Sequence, residues 1–210
     1  PSATVKRIVP LGYKSHAVNA LDASDRDGPS NTGLVNIRTW PVPLFGMYQP
    51  DAIAAYSVNG QTYLVTANEG DARDYAGFAE EARVSTLALD ANVFTAAACG
   101  GACNANSRLG RLNVTNTLGS SNGVFGALYA FGARSFSIWR AADMTRVFDS
   151  GEDFERITAT LAAEPNAPFK FNSGHDNDTL DSRSPAKGPE PEGIVLGEIA
   201  GRTFAFVGLE

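Results

Sequence analysis

The sequence predicts an all-β fold, a portion of a β-propeller, on three observations: short apolar runs with a period of two, turn pairs between them, and an internal repeat of one hairpin unit. The first unit is AIAAYSV (52–58), then Asn59-Gly60, then QTYLVTA (61–67), two β-rich runs around the turn pair that most strongly signals a type I′ hairpin. GIVLGEI (193–199), Ala200-Gly201 and RTFAFVG (202–208) form a second unit of the same kind. The two superpose without a gap. Pro50 falls on Pro191, Ile53 on Ile194, Gly60 on Gly201, Thr62 on Thr203 and Glu69 on Glu210, all at the 141-residue separation of Pro50 from Pro191. Asp51 falls on Glu192 and Tyr63 on Phe204, pairs alike in chemistry. A propeller blade takes roughly 40–50 residues, so this offset predicts three blades of about 47 residues between recurrences.

Between the hairpins, RVSTLAL (83–89), GRLNVTN (110–116), ALYAF (127–131), RSFSIW (134–139) and TRVFDS (145–150) predict further strands bounded by Gly or Asn. GSSNG (119–123) fits G-x-S-x-G, but a nucleophile elbow needs a helix after the serine, and the strand-like VFGALYAF follows; a glycine-rich hairpin turn is expected there. One short surface helix is predicted in EDFERITATLAAE (152–164), capped by Asp149 or Ser150, with Phe154, Ile157 and Leu161 on one face, ending before Pro165. A helical turn is expected at 77–82. Segments 14–47 and 164–192, rich in Asp, Asn, Ser, Gly and Pro, predict long acidic loops of the kind that carry sites in β domains.

Seventeen Lys and Arg against 23 Asp and Glu give a formal charge of −6, which provides no electrostatic footprint for nucleic acid or anionic lipid. With 43% hydrophobic and 19% charged residues the chain can bury a real core, and no window reaches the roughly 18 apolar residues of a membrane span. It starts at Pro1 without a Met and stops after a strand-like run, which reads as a processed or truncated piece. The two cysteines, Cys99 and Cys103 in CGGAC, cannot supply a four-thiolate zinc site. They read as a short disulfide loop of an oxidising compartment or as two free thiols.

The acidic positions repeated at strand ends, Asp51 with Glu192 and Glu69 with Glu210, are candidates for a hard-cation site, and oxygen ligands in flexible geometry suit calcium. The bland counterpart is solvated or arginine-paired acids. NEGDARDY (68–75) places Glu69, Asp71 and Asp74 around Arg73, which suits an anion-binding site and equally a self-neutralised network. HDNDTLDSRS (175–184) puts Asp176, Asn177, Asp178 and Asp181 in one loop, spaced for calcium but without the EF-hand frame, so an Asx-rich turn is the alternative; Asp22, Asp25 and Asp27 in DASDRDG read the same way. His16 and His175 are candidate bases or ligands, and no Walker or dinucleotide glycine loop is present.

The strings FGMYQPDAIAAY, TYLVTANEGDARDY, LGRLNVTNTLG, LYAFGARSFSIW, FDSGEDFERIT and GPEPEGIVLGEIAGRTFAFVGLE resemble the choice-of-anchor I family of secreted bacterial β-propeller proteins, from about Leu34 to Glu210. The resemblance implies export to the periplasm or cell surface and a roughly seven-bladed propeller that continues after Glu210, so that 1–210 would be a single propeller domain, the N-terminal portion of a longer chain whose remaining blades lie elsewhere. It marks Asp51, Asn68, Glu69, Asp71, Arg73, Glu190 and Glu192 as site-forming, and it transfers no role to the 99–103 loop. It also implies one of two functions. The first is a calcium-dependent phosphoesterase, alkaline phosphatase-like or phytase-like, with metal on the carboxylates and Arg73 on the phosphate ester. The second is a noncatalytic, calcium-stabilised module that binds a surface glycan or protein.

Overall fold

The computed structural model describes residues 4, 5, 7–174 and 179–210. In chain order its strands are β1 (Tyr13–Ser15), β2 (Leu44–Met47), β3 (Ala52–Val58), β4 (Gln61–Asn68), β5 (Asp74–Tyr75), β6 (Phe78–Ala79), β7 (Glu81–Arg83) and β8 (Ala88–Leu89). Then follow α1 (Ala96–Cys99), β9 (Asn113–Thr115), β10 (Ser120–Ser121), β11 (Val124–Phe125), β12 (Leu128–Ala130), β13 (Ser135–Arg140), β14 (Thr145–Asp149), α2 (Asp153–Ala162), β15 (Pro191–Ile199) and β16 (Arg202–Leu209). The chain is mostly β, built from several small sheets, and no sheet among the described residues closes into a barrel.

Both predicted hairpins form, β3 with β4 and β15 with β16. Each turn places two successive residues in left-handed backbone, Asn59 (φ 50°) with Gly60 (φ 75°) and Ala200 (φ 51°) with Gly201 (φ 73°), as a type I′ turn requires. The register repeats as well: Ala52 pairs with Ala67 as Gly193 pairs with Gly208, and Val58 with Gln61 as Ile199 with Arg202. β3 and β4 continue through β13 into β14 as a four-stranded antiparallel sheet, and β15 packs directly on β3 and β4. The two repeat units are therefore neighbours, and among the described residues the 141-residue offset does not divide into three equal blades. Between them the chain makes strands of two or three residues, broken by turns, that join β1 and β2 in a five-stranded sheet ordered β1-β2-β12-β9-β7 and form a three-stranded sheet ordered β10-β11-β8.

The main core lies under the five-stranded sheet, where Leu21, Trp40, Leu44, Leu112, Val114 and Leu128 pack with the Cys99–Cys103 disulfide. α1, not anticipated, is a single turn capped by the Thr95 hydroxyl, which accepts from Ala98 N–H; Gly100 (φ 68°) ends it and turns the chain toward Cys103. The GSSNG segment is the hairpin of β10 and β11, as its sequence suggests. Over 77–82 the expected helical turn is replaced by β6 and the start of β7, because Glu81 to Arg83 pair with β9. α2 forms where predicted but starts at Asp153 with no side-chain cap. Its apolar face does not bury: Ile157 and Leu161 are about half exposed, at 53% and 50%, while Glu155 is buried. That carboxylate anchors the helix through Arg134, a pairing outside any local periodicity.

His16 is fully enclosed. Its Nδ1 bonds the Asn19 carbonyl, Nε2 has no hydrogen-bond partner, and burial together with the charges of Lys14 and Arg134 pushes its pKa down to about 3, which removes it as a general base. Its free pKa is about 6.5. The unfolded chain binds the extra proton between those values, so its contribution to stability is complete above about pH 6.5 and is lost as pH falls toward 3. Melting temperature is expected to drop over that window by more in the native chain than in His16→Asn; equal slopes would clear His16 of the effect. The disulfide closes a loop of five residues, Cys99 to Cys103. Replacing both cysteines by alanine is expected to cost about 2 kcal/mol from loop-closure entropy, read by urea denaturation.

Candidate functional site

Asp51 and Glu192 enter β3 and β15, while Glu69 and Glu210 follow β4 and β16, so the repeat puts four carboxylates at the same end of two hairpins. Packing of β15 on β3 and β4 then brings those ends together. One oxygen each from Asp51, Glu69 and Glu192 lie within 4.8 Å of one another, and the same holds for Glu69, Glu190 and Glu210. Glu69 is common to both groups. Its backbone is fixed by a close crossing: Gly70 N–H donates to Gln49 O, the Gln49 side chain spans Gly132 N–H and Asp71 O, and a Cβ at Gly132 would lie 1.8 Å from the Glu69 carbonyl oxygen.

Glu190 is the most constrained member. It sits in left-handed backbone (φ 45°), its side chain is 1% exposed, and its Oε2 is buried with no donor. Burial, reinforced by the Glu210 carboxyl, pushes its pKa up to about 7. Two cations reach the group from one side. Arg183 Nε donates to Glu190 Oε1 at 2.6 Å, and Lys187 Nζ pairs with Glu69. Burial works against the Lys187 ammonium, but the Glu69 hydrogen bond and the charges of Glu190 and Asp71 outweigh it and hold its pKa above that of an ordinary lysine.

Carboxylate oxygens this close could share one hard cation: three oxygens of each group lie within 4.8 Å of one another, and calcium takes such ligands at about 2.3–2.6 Å. The buried, donorless Oε2 of Glu190 supplies an acceptor that the protein itself leaves unused.

The other predicted residues sit elsewhere. Arg73 does not gather Glu69, Asp71 and Asp74; its Nε and backbone N–H donate to Glu80 Oε2, its guanidinium stacks on Phe78, and the hydrogen bond from Arg73 holds the Glu80 carboxyl down at about 2. Asn68 is buried, its amide donating to the hydroxyls of Ser135 and Ser137. Asp71 is exposed at the rim of a polar cleft of about 400 Å³ that Arg183 and Lys187 also line. Asp181 is buried, accepts from Leu34 N–H and the Ser184 hydroxyl, and is pushed up to about 9 by burial and the Asp22 charge. Asp22 accepts from Asn36 and Ser24 N–H, Asp25 pairs with Arg111, and Asp27 accepts from the Asn36 amide. His175, Asp176, Asn177 and Asp178 lie outside the described residues. Arg183, Lys187 and Glu80 were missed, since nothing in their spacing announces a partner seven to 118 residues away.

A mostly β domain with an acidic cluster at the junction of two repeated hairpins, backed by lysine and arginine, defines the class. A family model for the choice-of-anchor I domain matches residues 1–210, and the chain belongs to that family. It is similar to gigasin-3a of Magallana gigas, 36% identical over 103 residues, covering 49% of this chain and 36% of that protein. It is also similar to the mesenchyme-specific cell surface glycoprotein of Strongylocentrotus purpuratus, 28% identical over 240 residues, covering 97% of this chain and 29% of that protein. The chain thus spans about a third of these relatives' length. No solved structure matches it.

Because Gly132 (φ 72°) leaves no room for a side chain beside Glu69, Gly132→Ala is expected to destabilise the fold by about 2–3 kcal/mol in urea denaturation. Gly60→Ala shares the positive φ (75°) but meets open space, and is expected to cost about 1 kcal/mol.

Proposed function

We propose that this chain is the calcium-bound β-propeller portion of a secreted or cell-surface protein, in which an ion held by Glu69, Glu190 and Glu210 fastens the ends of the two repeated hairpins and supports a noncatalytic binding face. The observation that carries this reading is the buried, donorless Oε2 of Glu190 among carboxylates converging from two neighbouring hairpins. Mutual repulsion among such groups opposes folding unless a cation joins them.

The four-stranded antiparallel sheet with β15 and β16 stacked on its β3–β4 side supports the propeller, as one blade beside the start of the next. Ile53, Val195, Ile199, Phe204 and Phe206 stay exposed on these hairpins, a surface suited to the remaining blades. Family membership and the cell-surface name of the sea-urchin relative support the location, and the buried disulfide agrees with an oxidising compartment. Among the described residues no helix is long and apolar enough to cross a membrane.

A second reading, metal-dependent phosphoester hydrolysis, is favoured by one observation: Arg183 and Lys187 belong both to the carboxylate group and to the adjoining cleft. Bound calcium would there polarise a phosphoryl oxygen and activate water, while the two side chains would hold the anion.

Chelation is the test. Calcium at 100 times its dissociation constant stabilises a folded state by about 2.7 kcal/mol, so EDTA is expected to lower the melting temperature by several degrees in the native chain and not at all in Glu190→Gln. An unchanged midpoint would sink the calcium site. Aryl phosphate hydrolysis that needs calcium and is lost in Glu69→Gln would decide for the second reading.

A further inference from the structure

We propose that the polar cleft between β7, β9 and the 182–187 loop binds a tetrahedral oxyanion, the phosphate or sulfate group of a small ester, through Arg83, Arg111, Arg183, Lys187 and Ser182. The proposal names a ligand class for the binding face described above, but it needs no metal.

Arg83 is the starting point. Its half-buried guanidinium donates through Nη1 to the backbone carbonyls of Arg111 and Pro185, and among the described residues no carboxylate contacts it, Glu81 and Asp25 acting on it only at longer range. Burial and the neighbouring Arg111 charge work against this cation, a cost that a contacting anion would offset. The other three cations are each braced by a carboxylate. Asp25 holds Arg111 in a two-point clamp through Nε at 2.7 Å and Nη2 at 3.0 Å; Glu190 holds Arg183, and Glu69 holds Lys187. Both clamped arginines engage their acids through Nε and Nη2, which leaves Nη1 outside the clamp. The positive side chains are thus fixed before any ligand binds, the condition under which binding loses least entropy.

One neutral group in the wall has a donor to spare: the Ser182 Oγ is buried with no hydrogen-bond partner, and a hydroxyl can donate to an oxyanion. Donors arrive from β7, from Arg111 just before β9, and from the 182–187 loop, more directions than the two oxygens of a planar carboxylate can use. The cleft of about 400 Å³ falls in the range of small-molecule sites and exceeds a bare phosphate, so the organic body of an ester fits with it. Asp71 and Glu81 at the lining, with the −6 charge of the chain, turn away long polyanions.

The test titrates inorganic phosphate and inorganic sulfate separately into the metal-free chain in EDTA, by calorimetry at ionic strength held constant with chloride. Saturable binding of either anion is expected, about tenfold weaker in Arg83→Gln. Glu81→Gln, a change at an exposed position, is expected to tighten binding several-fold by removing a like charge, and Arg73→Gln, outside the cleft, to leave it as it was. Whichever anion binds more tightly identifies the ester class. No saturable heat at tens of millimolar for either anion overturns the proposal, as does native affinity in Arg83→Gln. If Arg83→Gln fails to give a cooperative melt, Glu81→Gln decides alone, and unchanged affinity in it overturns the proposal. Chelator keeps this result separate from the calcium reading, which stands or falls on the melting shift.

Discussion

Arg134 is the joint on which the arrangement turns. It is 3% exposed, lies in left-handed backbone (φ 54°) at the entry to β13, and ties four separate stretches of chain together. Its guanidinium pairs with Glu155 on α2 at 2.5 Å and donates to the carbonyls of Asp22 (2.8 Å), Ser184 (2.7 Å) and Ala186 (3.2 Å). Glu155 in turn accepts from Asp22 N–H at 2.9 Å. Burying such a pair is tolerable only because nearly every donor is used; loss of either member would strand a charge in the interior. The carbonyls of Ser184 and Ala186 lie between Arg183 and Lys187 in the same loop, so the same cation that anchors the helix also sets where the site's cations stand.

The site itself is two charge networks placed side by side. Carboxylates gathered from hairpin ends make a region of strongly negative potential, and Arg183 and Lys187 shield one side of it while facing the cleft lined by Arg83 and Arg111. In a partly desolvated setting each network fixes the other: the acids hold the cations in one orientation, and the cations lower the cost of assembling the acids.

The hairpins were legible in the sequence because their information is local: a turn pair that demands positive φ, flanked by alternating apolar residues, leaves one register open, and the repeat carried that register from Val58 opposite Gln61 to Ile199 opposite Arg202. Asp51, Glu69 and Glu192 were legible for the same reason, since the repeat placed them at matching strand ends. The short strands were not, because two- or three-residue elements such as β8 and β11 exist only through distant partners. For α2 the position was legible and the buried face was not. Periodicity pointed to Phe154, Ile157 and Leu161, whereas burial follows the bond from Glu155 to Arg134, a contact made in space. Arg83, Arg183 and Lys187 were invisible likewise: a lone basic residue, on a short strand or in a loop, gives no sign of what it will face.

The chain carries only two cysteines, four positions apart, and both end in the core beneath the five-stranded sheet. Segments this short meet within well under a microsecond, long before strands such as β9 and β12 find each other across the sequence. Oxidation can thus precede folding, and these 210 residues hold no other cysteine to compete for either sulfur. The closed loop is then ready to serve as a preformed plug when the sheet collapses over it.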